Sequence, residues 1–163
     1  MGKSFTSFSG SKIAFALLFP MEKLFESYVA EILRKNLNRS LYSISIQDKT
    51  YHLFDKPNKK FLLKPDIVVK NKTNNDIFIL DTKWKLLSNQ KSNYGISQSD
   101  MYQMYAYSKK YGAKNIILLY PNAENTILNK TIEFESNNGT LVKVKFIDLF
   151  NIKYSINSLI SEL

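Results

Sequence analysis

The apolar and polar residues of this chain follow patterns that predict both helices and strands. After Pro20 the apolar residues recur at steps of three and four, which predicts an amphipathic helix to about Leu37. Four later segments have the alternation or the apolar run of a strand: 41–47, 51–54, 61–69 and 77–85. The polar segment 71–76 joins the last two, so we expect them to form a hairpin.

The second half of the chain repeats this mixture. Ser97 and Asp100 fit a capping box and Gly112 is a typical stop, which together predict a helix ending at Tyr111. Three strand-like segments and a final helix follow: strands at 115–120, 131–135 and 141–147, and a helix at 150–163. This order predicts a mixed α+β fold of the α/β type, with a central mixed β-sheet flanked by helices on both faces.

Length and composition fit one domain with a short extension. The chain has 163 residues, of which 44% are hydrophobic, and this is enough for a hydrophobic core. Residues 1–12 contain several serines and glycines, so we expect a flexible arm or linker remnant there. The domain itself is predicted to cover residues 13–163.

The charge balance indicates a polyanionic partner. Lysine and arginine number 23 against 14 acidic residues, a formal charge of +9, which favours nucleic acid first and an anionic membrane second. The alternative is that scattered lysines only solvate the surface. Since the chain has no cysteine and only one histidine, His52, disulfides and sites built on cysteine or paired histidines are excluded. The apolar stretch from Ile13 to Phe19 is too short to cross a membrane, and no membrane association is expected.

Acidic residues and a lysine occupy strand positions where apolar residues are usual. Asp66 follows Pro65 in one strand of the predicted hairpin, and the other strand contains Asp81-Thr82-Lys83. Across the ladder Asp66 and Asp81 can approach each other, and the two-residue period places Asp81 and Lys83 on one face. Carboxylates beside a lysine can hold a divalent ion and position water for phosphodiester hydrolysis. The alternative is a structural ion pair of Lys83 with either aspartate.

These residues resemble the core of the PD-(D/E)xK nuclease superfamily. The helix segment 99–107 adds a Gln-x-x-x-Tyr element, formed by Gln103 and Tyr107, that is similar to RecB-type nucleases. Together with the segments 19–26 and 118–121, the pattern resembles the C-terminal nuclease domain of the McrC family, the nuclease subunit of the McrBC 5-methylcytosine-specific restriction system. The resemblance covers roughly residues 13–121 and implies a restriction-endonuclease-like three-layer core.

The resemblance also implies a role for each site residue. Asp66, Asp81 and the backbone carbonyl of Thr82 would bind Mg²⁺ or Mn²⁺, which prefer oxygen ligands. Lys83 would be the catalytic lysine that places or deprotonates the attacking water. The three further candidates lie on helices: Glu26 near the metal, and Gln103 and Tyr107 near the DNA or the metal shell. Helix geometry alone does not distinguish Glu26 from Glu22, and core packing is the alternative for the aromatic residues.

The implied function is that of a metal-dependent DNA endonuclease in the cytoplasm of a prokaryote. GTP would act only through a partner, an McrB-like AAA+ GTPase, since the sequence has no Walker-type loop. The resemblance implies a partner-binding region before the nuclease domain, so the chain is either a nuclease domain without that region or a naturally short member of the family. Two nuclease domains are expected to pair for double-strand cleavage. Two alternatives remain: a stand-alone nuclease of DNA repair or recombination, and a non-catalytic scaffold that binds DNA or the motor.

Overall fold

The computed structural model describes residues 5–9, 12–16, 20–122 and 132–163, and for the first two ranges only the backbone. The helices are α1 (Met21–Asn36), α2 (Gln98–Tyr111) and α3 (Ile152–Ile160), and a short 3₁₀ turn covers Ser92–Gly95. The strands are β1 (Phe5–Ser9), β2 (Lys12–Ala16), β3 (Tyr42–Ile46), β4 (His52–Phe54), β5 (Lys60–Leu62), β6 (Ile67–Asn71), β7 (Ile77–Thr82), β8 (Asn115–Pro121), β9 (Ile132–Glu135) and β10 (Leu141–Ile147).

Six strands form one mixed sheet in the order β3-β6-β7-β8-β10-β9. Strand β8 pairs in parallel with β7 and with β10, while the other ladders of this sheet are antiparallel. The predicted hairpins β6–β7 and β9–β10 are both present, although Thr131 of the predicted β9 lies outside the described residues. The predicted mixed sheet is therefore confirmed.

Helices cover both faces of this sheet, as predicted. On one face, α1 and α3 pack against alternate strand residues such as Leu80 and Leu119. On the other, α2 packs against the residues that alternate with them, such as Ile79 and Leu118. Since β8 is buried on both faces from Ile116 onward, its sequence is an apolar run rather than an alternation.

The buried face of α1 differs from the prediction. The sequence pattern placed Met21, Leu24 and Tyr28 on the buried stripe, but each is at least 40% exposed. The helix instead buries the adjacent face, which includes Glu26. The apolar stripe of α1 is wider than the surface that the sheet covers. Leu24 and Tyr28 lie beyond that surface and border an apolar pocket together with Trp84.

The predicted strand 61–69 is wrong as a single element. Strand β5 ends at Leu62 and β6 begins at Ile67, because Pro65 has no N–H to donate to a ladder. Strand β5 pairs with β4 in a separate two-stranded sheet, the β4–β5 hairpin (residues 52–62). Strand β7 ends at Thr82, three residues earlier than predicted.

Both ends of the chain also differ from the prediction. Strands β1 and β2 form an antiparallel hairpin in a two-stranded sheet of their own, and the prediction for residues 1–12 was a flexible arm or linker remnant. Residues 1–4, 10 and 11 of that arm lie outside the described residues. Helix α3 starts two residues later than predicted, because Asp148 accepts hydrogen bonds from the backbone of Phe150 and Asn151. Among the described helices, none combines the length and the apolar character needed to cross a membrane.

Candidate active site

A polar cleft opens beyond the carboxyl end of β7, between α1 and the first turns of α2. The cleft collects acidic, basic and amide side chains from four separate parts of the chain. Its lining residues are Glu22, Lys23, Glu26, Lys64, Asp66, Asp81, Thr82, Lys83, Trp84, Lys85, Ser97, Asp100 and Gln103. All of the predicted site residues except Tyr107 therefore line one cleft.

The ladder between β6 and β7 brings Asp66 next to Asp81. Ile67 pairs with Leu80, so the next position along each strand places the two aspartates opposite each other, as predicted. Asp66 is held by Thr82, whose backbone N–H and hydroxyl donate to Oδ2 at 2.8 and 2.7 Å. Its other oxygen, Oδ1, accepts a longer bond of 3.3 Å from Gln47. Asp66 is thus oriented by the strand that carries Asp81.

Asp81 is a buried carboxylate that is paired with a lysine. It is 2% exposed, and its Oδ2 lies 2.5 Å from Nζ of Lys83 in an ion pair. Burial raises the pKa of Asp81 to about 6; the charge of Asp66 adds to the increase and Lys83 opposes it. Lys83 offsets only part of the cost of keeping Asp81 ionised beside Asp66, so a further cation at the two carboxylates would stabilise the charged form.

Lys83 is a cation between two carboxylates and an amide. Its Nζ donates to Oε1 of Gln103 at 3.2 Å and lies 3.7 Å from Oδ1 of Asp100. Burial lowers the pKa of Lys83, but the carboxylates, Asp81 first, outweigh burial and the net pKa is raised. The side chain is therefore charged at neutral pH, which favours orienting water and stabilising negative charge over accepting a proton.

Gln103 and Tyr107 share one face of α2, but they reach the cleft differently. Gln103 lines it and donates through Nε2 to the hydroxyl of Tyr107 at 2.8 Å. Tyr107 is 1% exposed and belongs to the core under α2. The buried Tyr107 therefore positions the amide of Gln103. Tyr107 itself is surrounded by core residues, which agrees with the alternative that it is a packing residue.

Glu26 is the acidic residue that α1 directs into the cleft. Its carboxylate is buried and accepts a hydrogen bond of 2.7 Å from Lys23, whereas Glu22 is exposed at the rim. Helix geometry therefore distinguishes the two residues once the true buried face of α1 is known.

The sequence interpretation missed the pair Lys85–Asp100. Nζ of Lys85 donates to Oδ2 of Asp100 at 2.7 Å, and Asp100 also faces Lys83. The cap of α2 uses only the backbone N–H of Asp100, which donates to the hydroxyl of Ser97 at 3.1 Å. The carboxylate of Asp100 faces the two lysines instead. The two-residue period of Asp81, Lys83 and Lys85 is a signal that could have placed Lys85 in the cleft.

The donor set fits one small divalent cation completed by water. Among the described residues, no group of three or more acidic or histidine side chains could hold a metal by itself. Magnesium commonly uses one or two carboxylates and keeps several waters. Asp66 and Asp81 supply two neighbouring carboxylates, and the charge of Asp66 disfavours the ionised form of Asp81 unless a further cation is present. Thr82 contributes its N–H and hydroxyl to Asp66 in this structure, and the role of its carbonyl stays a prediction.

Comparison with known proteins gives one family. No curated protein matches the chain. Among solved structures, SfsA from Pyrococcus furiosus in complex with Ca²⁺ is similar at 14% identity and a TM-score of 0.38, with 98% of this chain and 64% of that chain covered. The chain thus spans less than two thirds of that structure's length. The family described as McrBC 5-methylcytosine restriction system component matches residues 1–121, a range that includes every predicted site residue, and the chain belongs to this family.

Proposed function

We propose that the chain is a metal-dependent DNA endonuclease of the PD-(D/E)xK type, the cleavage component of a GTP-dependent, modification-dependent restriction complex. The observation that carries the proposal is the pair of neighbouring carboxylates Asp66 and Asp81, which lie with Lys83 in one polar cleft although Asp81 is buried. Two adjacent carboxylates, one of them buried, are costly in a purely structural role. The cost is explained if the two carboxylates share a cation during function.

Asp66 and Asp81, with the carbonyl of Thr82, would hold Mg²⁺ or Mn²⁺. When bound, the ion would supply a more acidic water and offset charge on the phosphate. Lys83 has three N–H donors, of which one faces Asp81 and one is donated to Gln103, so the third can meet a water or a phosphate oxygen. Lys83 would therefore orient the nucleophile and stabilise the charge that develops on phosphorus.

Lysines around the cleft fit a phosphate backbone. Lys23, Lys64 and Lys85 line the same cleft, and the whole chain has a formal charge of +9. Such a surplus attracts DNA without reading its sequence. The modification would accordingly be recognised by another component.

Membership in the family supports a partnership with an McrB-like AAA+ GTPase. The sequence contains no Walker-type phosphate loop, so GTP hydrolysis would belong to that partner. Since one site cuts one strand, two copies of this chain would act together on the two strands.

The test is cleavage of a methylated plasmid by the chain together with its partner GTPase, GTP and Mg²⁺. Asp81→Asn and Lys83→Met should each lower the cleavage rate by at least about a hundredfold, since each removes charge at the reacting phosphate. Asp76→Asn is the matched control, because Asp76 lies in the turn at the other end of the β6–β7 hairpin and is exposed.

Full activity of either site variant would contradict the assignment. Cleavage by the isolated chain without GTP would instead support a stand-alone nuclease. A chain that binds neither Mg²⁺ nor Mn²⁺ in calorimetry would support the non-catalytic scaffold.

A further inference from the structure

The β4–β5 hairpin exposes aromatic rings close to the cleft. Phe54 and Phe61 are 56% and 70% exposed, and their rings contact each other edge to face with centroids 5.9 Å apart. Leu53 and Leu62 beside them are exposed as well. An apolar surface of this kind is costly in water and indicates a binding surface.

Phe61 adopts a backbone conformation that is rare for its residue type. Its φ is +57°, in the left-handed region that bulky side chains avoid. In a regular ladder Phe61 would lie opposite Leu53 and point away from Phe54, because Phe54 pairs with Lys60. The unusual φ interrupts this alternation, and the ring of Phe61 contacts that of Phe54. Strained residues of this kind cluster at ligand-binding positions.

The charge around these rings is positive. Lys56, Lys59 and Lys60 are exposed in the hairpin, and within the described residues none of them has a carboxylate within 4.0 Å. The one acidic residue of the hairpin, Asp55, pairs with Lys110 at 2.7 Å. Lysine is depleted from protein–protein interfaces, whereas lysine beside exposed aromatic rings is typical of surfaces that bind single-stranded nucleic acid.

The chain runs directly from these rings into the cleft. Phe61 and Asp66 are five positions apart, a span of at most about 18 Å, and Lys64 between them lines the cleft. Because phosphates follow one another about every 3.4 Å along each strand of a duplex, the rings lie within about five base pairs of the candidate site.

We propose that the β4–β5 hairpin binds unpaired DNA bases next to the cleavage site, with Phe54 and Phe61 stacking on bases and the lysines on phosphates. This inference rests on DNA being the substrate under the proposed function. In an intact duplex the base faces are covered by their neighbours, so exposed rings can reach them only where pairs are open or at an end. The hairpin would thus hold a strand opened beside the cut.

The test is fluorescence anisotropy of the 163-residue chain with a labelled single strand and with an intact duplex, in EDTA so that no cleavage occurs. Phe54→Ala and Phe61→Ala should each weaken single-strand binding by about tenfold and leave the intact duplex nearly unchanged. The double variant Lys59→Ala/Lys60→Ala should reduce the slope of log affinity against log salt by about 1.4 for the single strand.

Matched controls come from the opposite layer of the molecule. Phe150→Ala removes a ring that is 91% exposed next to α3, and Lys35→Ala/Lys153→Ala removes two exposed lysines on α1 and α3. Neither control should alter the affinity or the salt slope as the hairpin variants do. Circular dichroism and thermal unfolding check that all variants fold.

Several outcomes would overturn the proposal. Unchanged single-strand binding by the phenylalanine variants, or an equal loss on the intact duplex, excludes stacking on open bases. Loss of binding to the partner GTPase with DNA affinity intact would make the hairpin a protein interface. Binding is measured without cleavage, so the two proposals can fail separately. If the chain never cleaves DNA but its single-strand binding depends on Phe54 and Phe61, only the proposed nuclease activity is refuted. If cleavage requires Asp81 but Phe54→Ala and Phe61→Ala leave single-strand binding unchanged, only the inference about the β4–β5 hairpin is refuted.

Discussion

Asp66 illustrates how one residue of the candidate site depends on its neighbour. Thr82 donates both its backbone N–H and its hydroxyl to the same carboxylate oxygen, which fixes the orientation of Asp66 toward the cleft. The backbone bond comes with the strand, but the hydroxyl depends on residue type. The side chain of Thr82 therefore positions a candidate metal ligand.

Thr82→Val removes that hydroxyl while keeping the shape of the side chain and the N–H. We expect a tenfold to hundredfold loss of metal affinity or cleavage, roughly the range for residues that orient a metal ligand, because Asp66 would lose one of its two bonds to Thr82. The measurement is Mn²⁺ titration calorimetry together with plasmid cleavage.

Thr82→Ser is the control for this variant, since serine retains a hydroxyl, and it should recover most of the loss. A valine variant that matches the unmodified chain in both measurements would show that the hydroxyl does not position Asp66.

Asp48 joins the loop after β3 to the end of α2. Burial acts to raise its pKa, but hydrogen bonds from Thr50, Tyr111 and Ser45 outweigh burial and the net pKa is lowered. A lowered pKa means that the folded state binds the proton less tightly than the unfolded chain. The stabilisation is therefore present above the unfolded pKa, near 4, and is lost as the pH falls through the lower folded pKa.

Asp48→Asn should lower the free energy of unfolding at neutral pH by about 1–2 kcal/mol, because hydrogen bonds to a charged acceptor are replaced by weaker ones. The difference from the unmodified chain should shrink below about pH 4. Urea unfolding across this pH range measures it, with Asp76→Asn as the exposed control. A difference that grows toward acid pH would contradict the lowered pKa.

Among the elements, α2 has both of its ends specified by single residues. Ser97 caps the first turn by accepting from Asp100, and Gly112 ends the helix at φ +64°. A Cβ at position 112 would have no heavy atom within 4 Å, so a substitution there would be limited by the backbone and not by space.

Gly112→Ala should lower the free energy of unfolding by about 1 kcal/mol, since alanine is strained in the left-handed region. Gly112→Asn is the comparison, because asparagine tolerates this conformation and should cost less. Urea unfolding measures both variants. Equal losses, or none for alanine, would contradict a backbone origin.

The elements also show where sequence patterns were sufficient. The caps of α2 and the apolar run of β8 are local signals, and each was placed within about a residue. The face of α1 depends on which side of the helix the sheet covers, so the apolar stripe misplaced Met21 and left Glu26 ambiguous. The break near Pro65 was missed because the flanking residues remain strand-like on both sides.

On the scale of the whole molecule, the sheet separates two hydrophobic cores. Ile156 lies in the core under α1 and α3, while Ile116 lies in the core under α2. Since the sheet stands between these side chains, a change in one core should not alter packing in the other.

Ile116→Val and Ile156→Val should each cost about 0.5–1.5 kcal/mol, and the double variant should cost their sum within about 0.5 kcal/mol. Chemical denaturation of the four proteins in this cycle gives the coupling energy. A coupling well above that margin would mean that the sheet transmits repacking from one core to the other.

The layers were predictable because the order of elements and the fully apolar β8 require cover on both faces. The contact between Lys85 and Asp100 could not be predicted from the sequence, because it joins residues 15 positions apart in different parts of the fold. The same holds for the rings of Phe54 and Phe61, whose contact depends on an unusual backbone angle. Pairing of the two aspartates was predictable because a hairpin ladder relates residues by simple counting.

That ladder has a consequence for how the chain can change over generations. Strand side chains have only two directions, so sliding β6 by one residue against β7 would send the two carboxylates to opposite sides of the sheet, while sliding by two would restore a shared side. The candidate site therefore depends on the register of this ladder, since only the observed register places Asp66 directly opposite Asp81. An insertion in the turn between these strands preserves that register only if the loop absorbs it, although the turn lies at the far end of the hairpin.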